Sequence, residues 1–396
     1  MNPKLSNRIN KMATSATLAM AAKARELREE GKDIIGLSLG EPDFTIPEFV
    51  KKAAIEAVNN DFHSYTPVDG YGDLKQAIIT KFNRDNGLTY KPSQIVVSTG
   101  AKQSLYNLAQ VLLNEGDEVL LPAPYWVSYS DISKVAGGVP KEIRTSIEND
   151  FKITAEELKA AITPKTKMII YSSPCNPSGS VYSKKELRSL ADVLVNYPDI
   201  IVVSDEIYEH INFTGKHVSM ASFEDMYDRT VVVNGVSKAY SMTGWRIGYI
   251  GAPEWIARAC NKMQGQVTSG ANCIAQQATI TALSNPPSKI QYMIDAFKNR
   301  RKLILGLLSD IEGFKTNEPE GAFYVFPDIS FFFGKTLRGK HINTASDFSL
   351  YLLEEANVAT VTGEAFGDPN CIRISYAASE DNIKEAIQRI KKAVSN

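Results

Sequence analysis

Short β-branched runs alternate along the chain with longer stretches in which apolar residues recur every three or four positions. The clearest pairs are QIVVSTG with AKQSLYNLAQVLL and KMIIYSS with KKELRSLADVLV, and further strand-like runs are DEVLLPAP, DIIVVSDE, TVVVNGVSK and RIGYIGA. This alternation predicts a mostly parallel sheet covered by helices. We therefore expect a large α/β domain over residues 48–295.

The C-terminal part has a different pattern. IQYMIDAFKNRRKLILGLLSDI is typical of one long amphipathic helix, and GAFYVFPDI, DFSLYLLEEANV, CIRISYA and EDNIKEAIQRIKKAV follow as strand, helix, strand and helix. This order predicts a smaller α+β domain over residues 296–396. Residues 1–47 carry one predicted helix and a GEPDF turn, and we expect an N-terminal arm that is part of the small domain.

Composition excludes several classes of protein. The 44 basic and 45 acidic side chains nearly cancel, so no basic field favours nucleic acid or an anionic membrane. No run of about 18 apolar residues predicts a membrane helix. The four cysteines and four histidines lack metal-ligand spacing, so we predict no metal site and no disulfide framework. A reducing, cytoplasmic location is the expectation.

The segment VVVNGVSKAYSMTGWRIGY places Lys238 directly after an apolar strand. A lysine amine forms a Schiff base with an aldehyde when burial and neighbouring cations lower its pKa. Ser237 and Arg246 are suited to gripping a phosphate beside it. The alternative is a strand-end lysine whose ammonium group reaches solvent.

A second segment, DIIVVSDEIYEH, places Asp205 at the carboxyl end of a central strand, with Tyr208 three residues further on. Ligands of open α/β sheets bind at that edge. There a carboxylate can pair with a protonated pyridine nitrogen and a phenol can bond a ring oxygen. The alternative, which this segment taken alone favours, is that Asp205 is the N-cap of a helix.

Two loops add candidate ligand contacts. In VVSTGAKQSLYNL the amides of Gly100, Ala101 and Lys102 open a helix after a strand, where the helix dipole favours a phosphate. In YSSPCNPSGS two prolines frame Asn176, so that its amide can be fixed to face a ligand. An ordinary glycine turn and a stiff proline turn are the alternatives.

Trp126 and Arg373 complete the candidates. The indole of Trp126, in a proline-framed loop, can stack on a planar ring or simply be buried. The guanidinium of Arg373, in an apolar strand, can bind a carboxylate in bidentate fashion or form a structural ion pair. Taken together, these segments favour one ligand: a planar heteroaromatic aldehyde with a phosphate, next to an amine that bears a carboxylate.

In these segments the chain resembles the class I aminotransferases of the fold type I pyridoxal-phosphate enzymes, and within them the bacterial aspartate aminotransferases. The resemblance covers nearly the whole chain. It is carried by the SATLAMAAKARELREEGKDIIGLSLGEPDF opening and by HSYTPVDGYGDL, STGAKQSLYN, APYWVSY, SSPCNPSG, VSDEIYEH, NGVSKAYSMTGWRIGY, GAFYVF and RISYA.

The resemblance implies pyridoxal 5'-phosphate as cofactor and a role for each matching residue. Lys238 is implied to hold the cofactor as a Schiff base and then to move the α-proton as general base. Asp205 is implied to keep the pyridine nitrogen protonated, while Asn176 and Tyr208 bond the ring oxygen. Trp126 would stack on the ring. The residues implied to hold the phosphate are Gly100, Ala101, Lys102, Ser237 and Arg246.

The resemblance also implies how substrate and a second subunit are bound. Arg373 would bind the substrate α-carboxylate, with the backbone of Gly40, Asn176 and Trp126 nearby. Tyr65 would reach the phosphate of a neighbouring subunit, which implies a homodimer with shared sites. Cys175 stands where similar enzymes often have asparagine and Ala101 where many have a second glycine, and neither departure removes a catalytic group.

Lys102, Ser15 and Thr17 resemble the set that recognises a distal carboxylate in one branch of aspartate aminotransferases. We therefore expect L-aspartate and 2-oxoglutarate as substrates, giving oxaloacetate and L-glutamate. The alternatives on the same scaffold are an aromatic, alanine or prephenate aminotransferase, and then a lyase or decarboxylase. A ligand-sensing regulator would need an added DNA-binding module, for which the chain has no room.

Overall fold

The computed structural model describes residues 4–12 and 14–395 of the chain. In chain order its strands are β1 Ile35–Gly36, β2 Ile95–Thr99, β3 Glu118–Pro122, β4 Val139–Ile143, β5 Thr166–Ser172, β6 Ile201–Asp205, β7 Thr230–Gly235, β8 Ile247–Gly251, β9 Tyr324–Val325, β10 Lys335–Leu337, β11 Lys340–Ile342, β12 Val358–Ala359, β13 Val361–Thr362 and β14 Ile372–Ser375. The α-helices are α1 Asn7–Lys11, α2 Ala16–Glu29, α3 Glu48–Asn59, α4 Gly72–Lys81, α5 Ala101–Leu112, α6 Ser128–Val135, α7 Ala155–Ala161, α8 Lys184–Leu194, α9 Glu224–Tyr227, α10 Glu254–Gly265, α11 Cys273–Ser284, α12 Gln291–Ser309, α13 Ala345–Glu355 and α14 Glu380–Val394.

A seven-stranded sheet in the order β2-β8-β7-β6-β5-β3-β4 forms the centre of the fold. The neighbours from β7 through β6, β5 and β3 to β4 pair in parallel, whereas β8 is antiparallel to both β2 and β7. Apolar side chains from both faces of this sheet pack against helices in separate clusters. The predicted mostly parallel sheet with helical cover is thus confirmed.

A second core lies beyond the central sheet. It contains the three-stranded sheet β13-β14-β9 together with helices α12, α13 and α14. Helix α12 joins the two cores, because Met293 packs with the central sheet whereas Phe297, Ile304 and Leu308 pack in the second core. This change falls at the predicted boundary between residues 295 and 296, and the division into domains stays a prediction.

The predicted arm contacts the second core. Strand β1 pairs in parallel with β12, and Ala24, Leu27 and Ile34 pack against Leu353 and Ala359. These contacts fit an arm that belongs with the small domain.

The strands that the sequence pattern did not predict are β1, β4, β10, β11, β12 and β13. Strand β4, VPKEI, is an edge strand whose residues are mostly exposed and include Pro140, Lys141 and Glu142, so it lacks an apolar run. Only Tyr324–Val325 of the GAFYVF run is paired as a strand, since the chain then leaves the sheet and continues into the segment before β10. Of the described residues, no helix combines the length and the apolar character that crossing a membrane requires.

Candidate active site

A cavity of about 280 Å³ opens at the carboxyl edge of the central sheet. The chain reverses there after β3, β5, β6 and β7, and each of these reversals contributes a side chain to the cavity wall. Thirteen of the predicted site residues line it: Ser15, Thr17, Gly40, Ala101, Lys102, Trp126, Asn176, Asp205, Tyr208, Ser237, Lys238, Arg246 and Arg373. The structure therefore brings together residues from nearly the full length of the chain.

The amine of Lys238 lies inside this cavity. Its Nζ donates a hydrogen bond to the carbonyl oxygen of Gly40 at 2.6 Å. Burial and, after it, the positive charge of Arg373 lower the pKa of Lys238 to about 8. A lysine that reached bulk solvent would not experience this burial, so the solvent-facing alternative does not apply.

Asp205 ends β6 and is buried. Its Oδ2 accepts a hydrogen bond from the hydroxyl of Tyr129 at 2.7 Å, and its Oδ1 accepts one from the amide of Ile207 at 3.2 Å. The following residues form a turn and no helix, which removes the N-cap alternative. Burial raises the pKa of Asp205 to about 6, although the Tyr129 hydrogen bond opposes the shift. The carboxylate is thus held in one orientation and is mostly ionised at neutral pH.

The turn from β2 into α5 forms a cradle of free amides. Gly100 has φ of 82° and caps α5 without a side-chain hydrogen bond. Among the described residues, the amides of Ala101 and Lys102 have no acceptor. A Cβ added at Gly100 would overlap the guanidinium of Arg246, so glycine lets that cation lie against the helix start. Free amides, a helix N-terminus and an arginine make this corner suited to a phosphate.

Arg373 is buried in the cavity wall without a counter-ion. Its Nη1 donates to Oδ1 of Asn176 at 3.0 Å and its Nη2 donates to the carbonyl oxygen of Ser38 at 2.5 Å. Nε has no partner, and within the described part of the chain no carboxylate lies within 4.0 Å of the guanidinium. The structural ion pair considered as an alternative is therefore not formed, and a carboxylate ligand would supply the missing charge.

Lys102 lies at the first turn of α5 and lines the same cavity as Arg373. Its Nζ is 4.9 Å from the ring centroid of Trp126, which is only partly buried. Burial lowers the pKa of Lys102, and so does the positive charge of Arg246. Ser15 and Thr17 at the start of α2 line the same cavity.

Two predicted residues do not line the cavity: Gly100, whose turn adjoins it through Ala101, and Tyr65. The side chain of Tyr65 is 100% exposed in the single chain. A fully exposed phenol makes no contribution to this chain's own site, so any role for it requires a second subunit. The predicted role stays a prediction.

Buried charged side chains pair with the segment that carries Asp205 and Tyr208, and residue spacing in the sequence did not indicate these pairs. Lys81 pairs with Glu209, and Nε2 of His217 lies 2.9 Å from Oε2 of Glu206. Burial lowers the pKa of His217, but the charge and hydrogen bond of Glu206 outweigh burial and raise it. Glu206 lies within the Asp205–Tyr208 segment and Glu209 directly follows it, so these pairs anchor the loop that carries both cavity residues.

Sequence reasoning missed several residues of the cavity wall, notably Tyr129, Ser172, Thr243 and Tyr324. Tyr129 follows Trp126 by three residues in WVSY, and the two rings pack edge to face with their centroids 5.6 Å apart. This spacing was the signal in the sequence that could have identified Tyr129. The hydroxyl of Ser172 is buried without a partner, and only its place at the end of β5 brings it to the cavity.

Comparison with known proteins identifies the same family over almost the whole length. The family "Aminotransferase class I and II" matches residues 32–390. The chain is 48% identical to an aspartate/prephenate aminotransferase of Nitrosomonas europaea, over 99% of this chain and 100% of that protein. It is 47% identical to an aspartate aminotransferase of Bacillus sp. strain YM-2, over 100% of both.

Solved structures agree. The aspartate aminotransferase of Rhizobium meliloti superimposes with a TM-score of 0.95 at 44% identity, covering 99% of each chain. That of Thermus thermophilus, with maleate, superimposes with a TM-score of 0.93 at 40% identity, covering 100% of each chain. Both the sequence and the architecture are therefore shared along the full chain.

Proposed function

The chain belongs to the class I and II aminotransferase family, and from that premise we propose that it is a pyridoxal-phosphate-dependent aspartate aminotransferase. The observation that carries the proposal is the buried guanidinium of Arg373, which lacks a counter-ion and opens on the same cavity as the amine of Lys238. An amine and an unpaired guanidinium in one cavity suit a substrate that bears both an amino group and a carboxylate.

The residues present fit the cofactor. Lys238 would hold its aldehyde covalently, Asp205 would face its ring nitrogen, and the Gly100 turn with Ser237 and Arg246 would hold its phosphate. The amides of that turn and the hydroxyl of Ser172 have no hydrogen-bond partner among the described residues, and a bound cofactor would supply one. When bound, the cofactor supplies a ring that accepts an electron pair as the α-proton leaves.

The chain's own side chains would orient the substrate and transfer the proton. Arg373 orients the substrate by its α-carboxylate, and Tyr208 with Asn176 donates to the cofactor's ring oxygen. Once the substrate amine has replaced it, Nζ of Lys238 is a free amine whose pKa of about 8 suits it to take and return a proton near neutral pH. The carboxylate of Asp205, held by Tyr129, keeps the ring nitrogen protonated.

Aspartate is the proposed donor and 2-oxoglutarate the proposed acceptor, because Lys102 supplies a second cation for a distal carboxylate. The names of relatives in Bacillus sp. and Nitrosomonas europaea, aspartate and aspartate/prephenate aminotransferase, support this class of substrate. The second of these names makes prephenate, a keto acid, the second candidate acceptor.

The test is a steady-state screen of amino donors against 2-oxoglutarate and of acceptors, prephenate included, against aspartate. Lys102→Ala is compared with wild type on aspartate and on phenylalanine. Removing one member of a desolvated charge pair costs about 2 to 5 kcal/mol, or roughly thirty-fold to several thousand-fold in specificity constant. We expect that loss with aspartate and a much smaller one with phenylalanine. Lys134→Ala, which changes an exposed lysine of α6, is the matched control. Equal losses on both donors would contradict the aspartate assignment.

We also propose a cytoplasmic homodimer with shared sites. The fully exposed Tyr65 supports a partner subunit whose phosphate it would contact. The four cysteines are free among the described residues, which fits a reducing compartment.

A further inference from the structure

Tyr324 occupies a position in the cavity wall that none of the roles above assigns. It belongs to β9, where it is paired with Ser375 of β14, and its side chain is buried. Its hydroxyl oxygen lies 2.6 Å from that of Tyr208, so one hydroxyl donates to the other. Tyr324 therefore connects the second core to the loop that follows β6.

The ring of Tyr324 has a separate neighbour. The guanidinium carbon of Arg373 lies 4.7 Å from its centroid, a distance at which a cation is attracted to the face of an aromatic ring. Because Arg373 has no carboxylate partner in the described structure, this ring supports its charge together with the ring of Phe366, whose centroid lies 4.9 Å from the same carbon. One side chain thus contacts two proposed ligand-binding groups, by its hydroxyl and by its ring.

Gly40 shows how closely Tyr324 is fitted. A Cβ added at Gly40 would overlap the hydroxyl oxygen of Tyr324, so only glycine permits this approach. The carbonyl of the same glycine accepts the hydrogen bond from Lys238. The hydroxyl of Tyr324 is therefore held from two sides, by Gly40 and by Tyr208.

The direction of the phenol-to-phenol hydrogen bond follows from proton counting. A phenol has one proton to donate and lone pairs to accept. If Tyr208 donates its proton to the cofactor's ring oxygen, it can only accept from Tyr324. Burial raises the pKa of both phenols, so both keep their protons near neutral pH. A donor that itself accepts a hydrogen bond is polarised and donates more strongly.

We propose that Tyr324 is a positioning residue of the aminotransferase site, whose hydroxyl strengthens the hydrogen bond from Tyr208 to the cofactor and whose ring holds Arg373 in place. The proposal rests on the proposed function, because it assumes that Tyr208 and Arg373 meet the cofactor and the substrate. It adds a residue that acts on both ligands through Tyr208 and Arg373.

The hydroxyl is tested by titrating the absorbance of the bound cofactor with pH. A hydrogen bond to the ring oxygen favours its deprotonated form, so weakening that bond raises the pH midpoint. Tyr208→Phe should raise the midpoint, and Tyr324→Phe should raise it by a smaller amount, about a tenth to a third of that shift. In the double variant, Tyr324→Phe should add no further shift of the midpoint to that caused by Tyr208→Phe. Tyr376→Phe, which removes a buried hydroxyl bonded to a backbone carbonyl in the same core, should leave the midpoint unchanged.

The outcomes separate this proposal from the proposed function. If Tyr208→Phe shifts the midpoint and Tyr324→Phe does not, the hydroxyl role is refuted and the proposed function stands. An equal Tyr324→Phe shift with and without Tyr208 also refutes it, because the effect would then not pass through Tyr208. If Tyr208→Phe itself has no effect, the assignment of Tyr208 is wrong and the role of the Tyr324 hydroxyl is overturned with it.

The ring is tested by calorimetric binding of maleate, a dicarboxylate, to the holoenzyme. Tyr324→Phe keeps the ring and should bind maleate within about twofold of wild type, whereas Tyr324→Leu should bind it about 2- to 30-fold more weakly. Tyr324→Met is tested as well, so that the role of the ring can still be decided if the leucine variant does not fold. Leucine or methionine variants that bind maleate as tightly as the phenylalanine variant would overturn the ring role.

Discussion

The amine of Lys238 offers a direct test of the electrostatics of the cavity. Burial lowers its pKa to about 8, and the positive charge of Arg373 adds to the shift. Only the neutral amine attacks an aldehyde or an acylating reagent. At pH 7 an amine with this pKa is neutral in roughly 10% of molecules, against about 0.04% for an ordinary lysine of pKa near 10.4. The reactive fraction is therefore larger by a factor of roughly 200.

The assay is competitive labelling of the cofactor-free protein with a trace of acetic anhydride between pH 6 and 11, read peptide by peptide by mass spectrometry. Labelling of Lys238 should be half-maximal near pH 8. Arg373→Gln removes a positive charge that disfavours the ammonium form, so it should move the midpoint to higher pH. The exposed Lys134 serves as an internal reference for the reagent.

Two results would refute the reasoning. A labelling midpoint near that of an ordinary lysine would mean that burial does not govern the amine, and an unchanged midpoint in Arg373→Gln would remove the contribution of that charge. A related check uses the reconstituted protein: borohydride should fix the cofactor covalently on Lys238, and peptide mapping that found the adduct on another lysine would overturn the assignment.

Three further outcomes are expected. Asp205→Ala should stay folded by circular dichroism yet lose turnover by orders of magnitude, because an unprotonated ring is a poor electron sink, and near-normal turnover would exclude its role. Mixing Lys238→Ala with Tyr65→Phe subunits should restore activity through hybrid dimers with one intact site, whereas hybrids no more active than either parent would mean that Tyr65 does not act across an interface. Lys81→Met should cost about 3 to 5 kcal/mol of unfolding free energy in denaturant titrations, since it leaves the buried Glu209 without its ammonium partner, and a loss below 1 kcal/mol would contradict the pairing.

The sequence was most informative where a residue with a proposed chemical role directly follows a strand. Lys238, Asp205 and Gly100 each come just after an apolar run, and the parallel arrangement of those runs places their ends at one edge of the sheet. The resemblance to known aminotransferases then supplied roles that spacing could not. For Arg373, the sequence alone left two interpretations, and only the three-dimensional absence of a nearby carboxylate distinguishes them.

The residues that were not predicted act through contacts made far along the chain. Tyr129 reaches Asp205 across 76 positions and Tyr324 reaches Tyr208 across 116. Apart from the spacing of Tyr129 after Trp126, nothing local distinguishes these tyrosines from core aromatics, because the hydrogen bond that each makes depends on the packing of two separate segments. The buried pairs of Lys81 with Glu209 and of His217 with Glu206 escaped notice for the same reason.

The antiparallel strand β8 has a consequence for the order in which the site is completed during synthesis. Thr99 of β2 pairs with Ile247 of β8, roughly 150 residues later in the chain, which a ribosome adding 5 to 20 residues per second makes about 8 to 30 seconds afterwards. Until then β2 has no neighbour on the sheet, and the turn at Gly100 lacks Arg246, the cation that lies against it. A nascent chain released before Arg246 would therefore carry the amides of the proposed phosphate cradle but not the arginine.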